Sequence, residues 1–204
     1  MLLLVISVIL TTLSIITTGI RFATRFRHRK LGWDDYTIFA ACALSIGRTV
    51  DQLVSVPHGN GHHHENLALA DYQYVNFLGW LTQLFLFPIL CLLKSSICLL
   101  ALRIKDTKAL RITVWITIAG LILTNGLPET ILLAECSPVD AYWTSQADKC
   151  WTPEVRIYSI YLQTAYSVVT DLLCSLLPVY IVWGLNMNNR KKLGVCVLMS
   201  LGLM

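Results

Sequence analysis

Arg48, Lys94 and Asp171 are charged residues that lie deep within long apolar stretches of the chain. A charged side chain at mid-depth in a membrane costs a few kcal/mol and is normally paired, hydrated or used in function. At 1.5 Å per helical residue, Arg48 and Asp171 each lie roughly 21 Å from the basic end of their stretch, and Lys94 about 13 Å. We therefore predict a buried cluster of Asp171 with Arg48, Lys94 or both, acting either as a ligand group or as a lock between helices.

Helical phase adds further polar side chains to this prediction. At about 100° per residue, Gln83 falls on the face of Lys94, and Ser167 on the face of Asp171. Such polar stripes should face the interior of a bundle, although serine and threonine also serve for close helix packing. The predicted polar cluster thus comprises Asp171, Lys94, Arg48, Gln83 and Ser167.

The elements that must position these groups are membrane-spanning helices. Of the 204 residues, 55% are apolar and 14% are charged, which excludes a soluble surface. A span needs about 20 apolar residues, and backbone in hydrocarbon must be helical. The apolar stretches cover residues 1–20, 35–56, 73–102, 112–134, 155–185 and 193–204. We predict an all-α polytopic transmembrane bundle, a single domain over residues 1–204 with five full spans and a truncated sixth.

The positive charges predict how the chain is oriented. Of 16 Lys and Arg residues, five fall within 21–30, four within 103–111 and three at 190–192. These are alternate loops, and cytoplasmic loops collect Lys and Arg, so the N-terminus is predicted to lie outside. Anionic lipid and topology explain such runs better than nucleic-acid binding does. We predict a multi-pass protein of the plasma membrane.

The two predicted outer loops carry cysteines and histidines. Cys136 and Cys150 are the two of seven cysteines placed outside, where oxidising conditions favour a disulfide over two free thiols. The other loop contains His58, then three histidines at 62–64 and Glu65. Imidazole is a favoured zinc ligand, but consecutive residues rarely reach one ion. We predict the disulfide, and a solvated turn rather than a metal site.

Two acidic residues, Asp34 and Asp35, begin the second span directly after the first basic run. Carboxylates stabilise a helix N-terminus. They can also pair with Arg25 or Lys30. Capping with ion pairing is one interpretation of these residues, and coupling to a cytoplasmic partner is the other.

Short motifs follow one another in order along most of the chain. They are basic residues before a Trp-Asp-Asp-Tyr helix start, a Gly-x-Gly-x-His loop, a Lys-x-Ser with a later Arg, a Cys-x-Pro loop with Trp and a second Cys, and a Thr-Asp pair before a proline. Their residues are Arg21, Arg25, Trp33, Asp34, Asp35, Gly59, Gly61, His63, Lys94, Ser96, Arg103, Cys136, Pro138, Trp143, Cys150, Asp171 and Pro178. The set resembles the fungal rhodopsin-domain integral membrane proteins, a receptor-like seven-helix family, over residues 21–204 with a truncated C-terminus. Ala101 and Ser167 depart from the family pattern, which has an aromatic residue and an asparagine near these places.

The resemblance implies a receptor-like sensor of an extracellular small molecule or surface cue, coupled to a cytoplasmic signalling partner. No cofactor is predicted, because the retinal lysine of microbial rhodopsins lies on a seventh helix that this sequence does not reach. Enzymatic activity is not predicted. Two alternatives remain: a transporter that uses the intramembrane charges, with Pro88 and Pro178 as hints of broken helices, and a metal-dependent intramembrane hydrolase built on the His58 loop.

Overall fold

The computed structural model describes residues 2–29, 32–58, 69–104, 106–144 and 149–183. Within these ranges the chain forms five α-helices and one 3-10 turn, and it contains no strand, so the all-α prediction is confirmed. The helices are α1 Leu2–Arg27, α2 Trp33–Ser55, α3 Leu69–Ile104, α4 Lys108–Ala134 and α5 Pro153–Trp183, with the turn at Val139–Ala141.

Four of these helices, α1 to α4, are long and apolar enough to cross a membrane. The 36 residues of α3 extend for roughly 54 Å, well beyond the roughly 30 Å of hydrocarbon, so its ends project from the apolar layer. The chain is therefore a multi-pass membrane protein. The count beyond four spans and the orientation of the N-terminus stay predictions, and residues 193–204 lie outside the described ranges.

The central element of the bundle is α3, which packs against α2, α4 and α5, whereas α1 packs mainly against α2. The apolar core lies where α3, α4 and α5 meet. It contains Cys98, Ala101, Leu110, Val114, Ile118 and Cys174. The outward side of α1 exposes large apolar residues such as Leu10, Leu13 and Ile16, as expected of a lipid-facing surface.

A close approach joins α4 to α5 at Gly120. The hydroxyl of Tyr166 donates to the backbone oxygen of Thr117 at 3.4 Å, directly above Gly120. A Cβ atom at Gly120 would lie 1.9 Å from that hydroxyl oxygen. One layer further out, buried Gln163 donates from Nε2 to Oδ1 of buried Asn125 at 3.3 Å. The α4–α5 contact thus needs glycine at position 120.

The prolines within the spans do not break the helices. Both Pro88 in α3 and Pro128 in α4 lie inside continuous helices. The range of α5 runs through position 178. In the residues that the structure describes, the paired broken helices expected of a transporter are absent.

Candidate functional site

The first turn of α2 holds two buried carboxylates, Asp34 and Asp35, which are 3% and 1% exposed. Three guanidinium groups surround them. Arg21 and Arg25 come from the last two turns of α1, and Arg103 from the last turn of α3. We call these five residues the arginine–aspartate network. It ties three helices together at the basic end of the bundle.

Every carboxylate oxygen of the arginine–aspartate network has an arginine within ion-pair distance. The shortest contacts are Arg25 Nη1 to Asp34 Oδ2 at 2.6 Å and Arg21 Nη2 to the same oxygen at 2.9 Å. Asp35 receives Arg25 Nη1 at 3.0 Å and Arg21 Nε at 3.2 Å. Arg103 Nη1 lies 3.1 Å from Asp34 Oδ1 and 3.5 Å from Asp35 Oδ2. Charge-assisted hydrogen bonds of this kind are the strong ones, and they give both buried carboxylates partners that replace water.

Backbone contacts fix the position of the two aspartates. The amide of Gly32 donates to Asp35 Oδ2 at 3.1 Å, and the hydroxyl of Ser96 on α3 donates to the backbone oxygen of Asp34 at 2.8 Å. A Cβ atom at Gly32 would lie 2.4 Å from Asp34 Oδ1 and 2.9 Å from Arg103 Nη1. Glycine before the helix and serine on α3 are therefore parts of the same arrangement. Trp33, by contrast, is 81% exposed, and its ring lies 6.4 Å from that of Tyr36, as suits a membrane interface.

A cavity of about 350 Å³ adjoins the arginine–aspartate network. Its lining consists of Thr24, Arg25, His28 and Arg103. Among the residues that the structure describes, the lining side chains are polar or basic and none is acidic.

A second charged group lies within the bundle, between α3 and α5. The ammonium of Lys94 lies 3.0 Å from Asp171 Oδ1, and it donates to the backbone oxygen and the hydroxyl of Ser167 at 2.9 and 2.7 Å. It also donates to the buried hydroxyl of Thr170 at 3.1 Å. Lys94 is buried, while the Asp171 side chain is 50% exposed. The structure thus brings together Lys94, Asp171 and Ser167, and their role in ligand binding stays a prediction.

The structure does not bring Arg48 or Gln83 to Asp171. Arg48 lines a separate cavity of about 180 Å³ between α1 and α2, beside Thr11 and Thr49. Its Nε atom has no hydrogen-bond partner in the described ranges, and no ion pair links it to Asp171. Gln83 shares the face of Lys94 but lies roughly 16 Å away along α3. Helical phase gives the face of a helix, but it gives neither the partner helix nor the depth.

At the opposite end of the bundle, the predicted disulfide joins Cys136 to Cys150. Backbone hydrogen bonds flank it: Ser137 N to Lys149 O at 3.1 Å, and Trp151 N to Glu135 O at 2.8 Å. Within this closed loop, Pro138 directly precedes the 3-10 turn.

Aromatic packing fixes the disulfide loop on α3. The ring of Trp143 lies 5.0 Å from Phe77 and 5.6 Å from Trp80, and the Trp80 indole donates to the backbone oxygen of Leu132 at 3.3 Å. The disulfide loop is therefore packed onto α3, and Trp80 of α3 is in turn hydrogen-bonded to α4.

An ion pair under the disulfide loop was not predicted. Buried Glu135 lies 3.3 Å from Arg156 Nη1, which also donates to the Tyr142 hydroxyl at 2.9 Å. The sequence contained one signal for it. Arg156 is one of two cations on the predicted outer side, and Glu135 is the residue before Cys136.

Several predicted site residues lie outside the described residues: Gly59, Gly61, His63 and the side chain of Pro178. Of the histidine loop, only His58 is described, and its Nδ1 lies 3.3 Å from Asp71 Oδ1. Among the described residues no group of three or more His, Cys, Asp or Glu could hold a metal ion. The predicted turn at 62–65 is not tested.

Comparison with known proteins decides the family. The Fungal rhodopsin domain matches residues 20–204. The chain belongs to the fungal rhodopsin domain family. The resemblance inferred from short motifs is thereby confirmed.

Two curated relatives match most of this fungal rhodopsin-domain chain. A SAT4 family membrane protein of Emericella nidulans is 27% identical over 188 residues, which are 87% of this chain and 47% of the relative. The polyenoic acids biosynthesis gene cluster protein Ba17b of Metarhizium anisopliae is 26% identical over 200 residues, which are 91% of this chain and 52% of the relative. The chain thus spans about half the length of these relatives. No solved structure matches it.

Apart from the exposed Trp33, the motif residues whose side chains the structure describes in this fungal rhodopsin-domain protein gather in three places. The arginine–aspartate network takes in those at the first basic run, the start of α2 and the end of α3. Lys94 and Asp171 form the intramembrane pair. Cys136, Cys150 and Trp143 form the loop at the far end. Motifs that are separate in sequence therefore come together at three sites, and α3 makes contacts at each of them.

Proposed function

We propose that this protein is a receptor-like membrane sensor, which responds to an extracellular small molecule or surface cue and acts on a cytoplasmic partner. The observation that most directly supports this proposal is that α3 takes part in three groups of contacts. It packs on the outer disulfide loop, contributes Lys94 to the intramembrane charge pair and contributes Arg103 to the arginine–aspartate network. One helix thereby touches every cluster of family motif residues that the structure describes.

The geometry supports transmission along α3. Lys94 and Arg103 lie nine residues apart on one helix, roughly 14 Å along its axis. A ligand that rearranges the contact of Lys94 with Asp171 would shift α3, and the shift would move Arg103 against Asp34. Buried ion networks have discrete arrangements, so a small shift favours one arrangement over another. The exposed half of Asp171 offers a polar contact for such a ligand.

The proposal includes a topology and a location. We place the N-terminus outside, with five full spans and a sixth begun at residue 193, in the plasma membrane. The basic loops then face the cytoplasm, where a signalling partner would bind. No enzymatic activity and no cofactor are part of the proposal.

The transporter remains a second candidate because, in the Lys94–Asp171 pair, the Asp171 side chain is 50% exposed. Such a pair suits proton or substrate exchange. Its weak point is the continuity of α3 through Pro88, since substrate sites in many transporters lie at discontinuous helices.

One reconstitution experiment separates the candidates. The protein is placed in liposomes and in nanodiscs, and compounds that raise its unfolding temperature are then tested for uptake and for turnover. A receptor binds such a compound with neither flux nor turnover, and Lys94→Met abolishes the binding. Proton-coupled uptake that is lost in Lys94→Met would replace the receptor proposal with the transporter, and zinc-dependent turnover would replace it with the hydrolase.

A further inference from the structure

The cavity beside the arginine–aspartate network has no role in the function proposed above. It lies between the end of α1 and the end of α3 and is lined by Thr24, Arg25, His28 and Arg103. We propose that this cavity binds a phosphate that carries at most one ester bond, as a phosphate monoester or inorganic phosphate does. The leaflet in which that anion is found rests on the proposed topology, but the binding chemistry does not.

The charge balance of the arginine–aspartate network favours an anion. Three guanidinium groups face two carboxylates, so the five residues carry one net positive charge. The carboxylates are almost completely buried, whereas the arginine side chains stay 23–37% exposed. A ligand entering the cavity therefore meets the cations and not the anions.

Unused donors are present in the lining. Arg25 contacts both aspartates through Nη1 alone, and its Nε and Nη2 atoms form no hydrogen bond with the described residues. A planar guanidinium with two free donors matches two oxygens of a phosphoryl group. His28 is exposed directly after the end of α1 and adds a further donor.

The surrounding sequence supplies no competing negative charge on α1. No acidic residue precedes Asp34, while Arg27 and Arg29 follow Arg25 on the same segment. A volume of about 350 Å³ lies within the usual range of small-ligand sites, about 300–1,000 Å³. Basic pockets between helices at the cytoplasmic side of membranes bind phosphorylated lipid headgroups by this chemistry.

Two sources have this chemistry, a lipid headgroup and a free phosphate, and one set of titrations separates them. The purified protein in a neutral detergent is titrated with three probes: short-chain phosphatidylinositol 4-phosphate, short-chain phosphatidylinositol and inorganic phosphate. We expect the monoester lipid to bind at least about tenfold more tightly than the diester lipid, a difference of about 1.4 kcal/mol. Full competition by millimolar inorganic phosphate would assign the site to a free phosphate, and its failure to compete would assign the site to the lipid headgroup. Equal affinity for the two lipids would overturn the proposal.

A matched pair of variants locates the binding. His28→Glu and Arg27→Gln each make the end of α1 more negative by one charge, and both side chains are exposed, but only His28 lines the cavity. We expect His28→Glu to weaken monoester binding at least about tenfold and Arg27→Gln less than about twofold. Equal losses in the two variants would mean diffuse attraction to a basic surface, and no loss in either would also refute the cavity as the site. The unfolding midpoints of both variants control for folding, and the detergent assay does not depend on membrane orientation.

Discussion

Gly120 is the residue with the least space around it among the glycines of the described helices. We expect Gly120→Ala to lower the free energy of unfolding by about 1–3 kcal/mol, because the new methyl group would overlap the Tyr166 ring and overpacking costs this much. The matched control is Gly126→Ala on the same helix, where nothing lies within 4 Å of the added atom. Thermal unfolding in detergent measures both variants. An equal effect of the two substitutions would show that α5 is not packed at Gly120.

Lys94 is the second residue whose substitution should have a clear effect. We expect Lys94→Met to destabilise the protein by about 1–3 kcal/mol, because it leaves the acceptors of half-buried Ser167 and buried Thr170 on α5 without their donor. Asp171→Asn should cost less, since Asp171 is half exposed and makes one of the four contacts of Lys94. The unfolding midpoints of the two variants and of the double variant give the comparison. A larger loss in Asp171→Asn than in Lys94→Met would contradict the geometry.

The residues of the intramembrane pair could be chosen from the sequence, whereas the complete cluster could not. Charges are rare in apolar stretches, so Lys94, Asp171 and Arg48 were easy to find. Whether Lys94 or Arg48 pairs with Asp171 depends on which helices are neighbours in the bundle. A single sequence does not specify that arrangement. The structure packs α5 against α3, which carries Lys94, and it places Arg48 by α1.

At the scale of elements, the arginine–aspartate network holds the basic ends of α1, α2 and α3 together. We expect Asp35→Asn to lower the free energy of unfolding, because it removes one partner of a buried ion pair. Breaking such a pair costs about 3–5 kcal/mol, and we expect a value near the lower end because the arginines are partly exposed. The control is Asp106→Asn, which removes an exposed pair with Arg111 and should change stability little. Chemical unfolding of both variants measures the difference. Equal stability of Asp35→Asn and the unchanged protein would mean that the network does not hold the helices.

The helices themselves were largely predictable, and their ends were less so. Apolar runs locate a span because hydrocarbon excludes other residues, and every described helix overlaps a predicted span. The apolar pattern does not, however, locate helix ends that extend beyond the membrane surface. The helix α1 continues to Arg27, seven residues past its predicted end, because the last turns are stabilised by contacts of arginines with α2. A pairing of Asp34 and Asp35 with Arg25 was expected, whereas the contribution of Arg103 required knowledge of α3.

At the scale of the whole molecule, the proposed orientation has a direct test. The sequence contains no Asn-x-Ser/Thr acceptor, so engineered acceptors report without background. We expect an acceptor inserted in the loop between Cys136 and Cys150 to be glycosylated, and one inserted beside Asp106 to stay unmodified. A mobility shift that is reversed by glycosidase measures the result. Modification beside Asp106 alone would invert the proposed topology.

The residues of the arginine–aspartate network are also synthesised in a fixed order. Arg21 and Arg25 are synthesised just before Asp34 and Asp35, so the carboxylates find partners at once. Arg103 follows Asp34 by 69 residues, which takes roughly 3–14 s of translation at about 5–20 residues per second. During that interval the contacts of Arg21 and Arg25 with the two aspartates are already available between α1 and α2. The chain order therefore lets the two-helix part of the network form before α3 is made, and Arg103 completes it last.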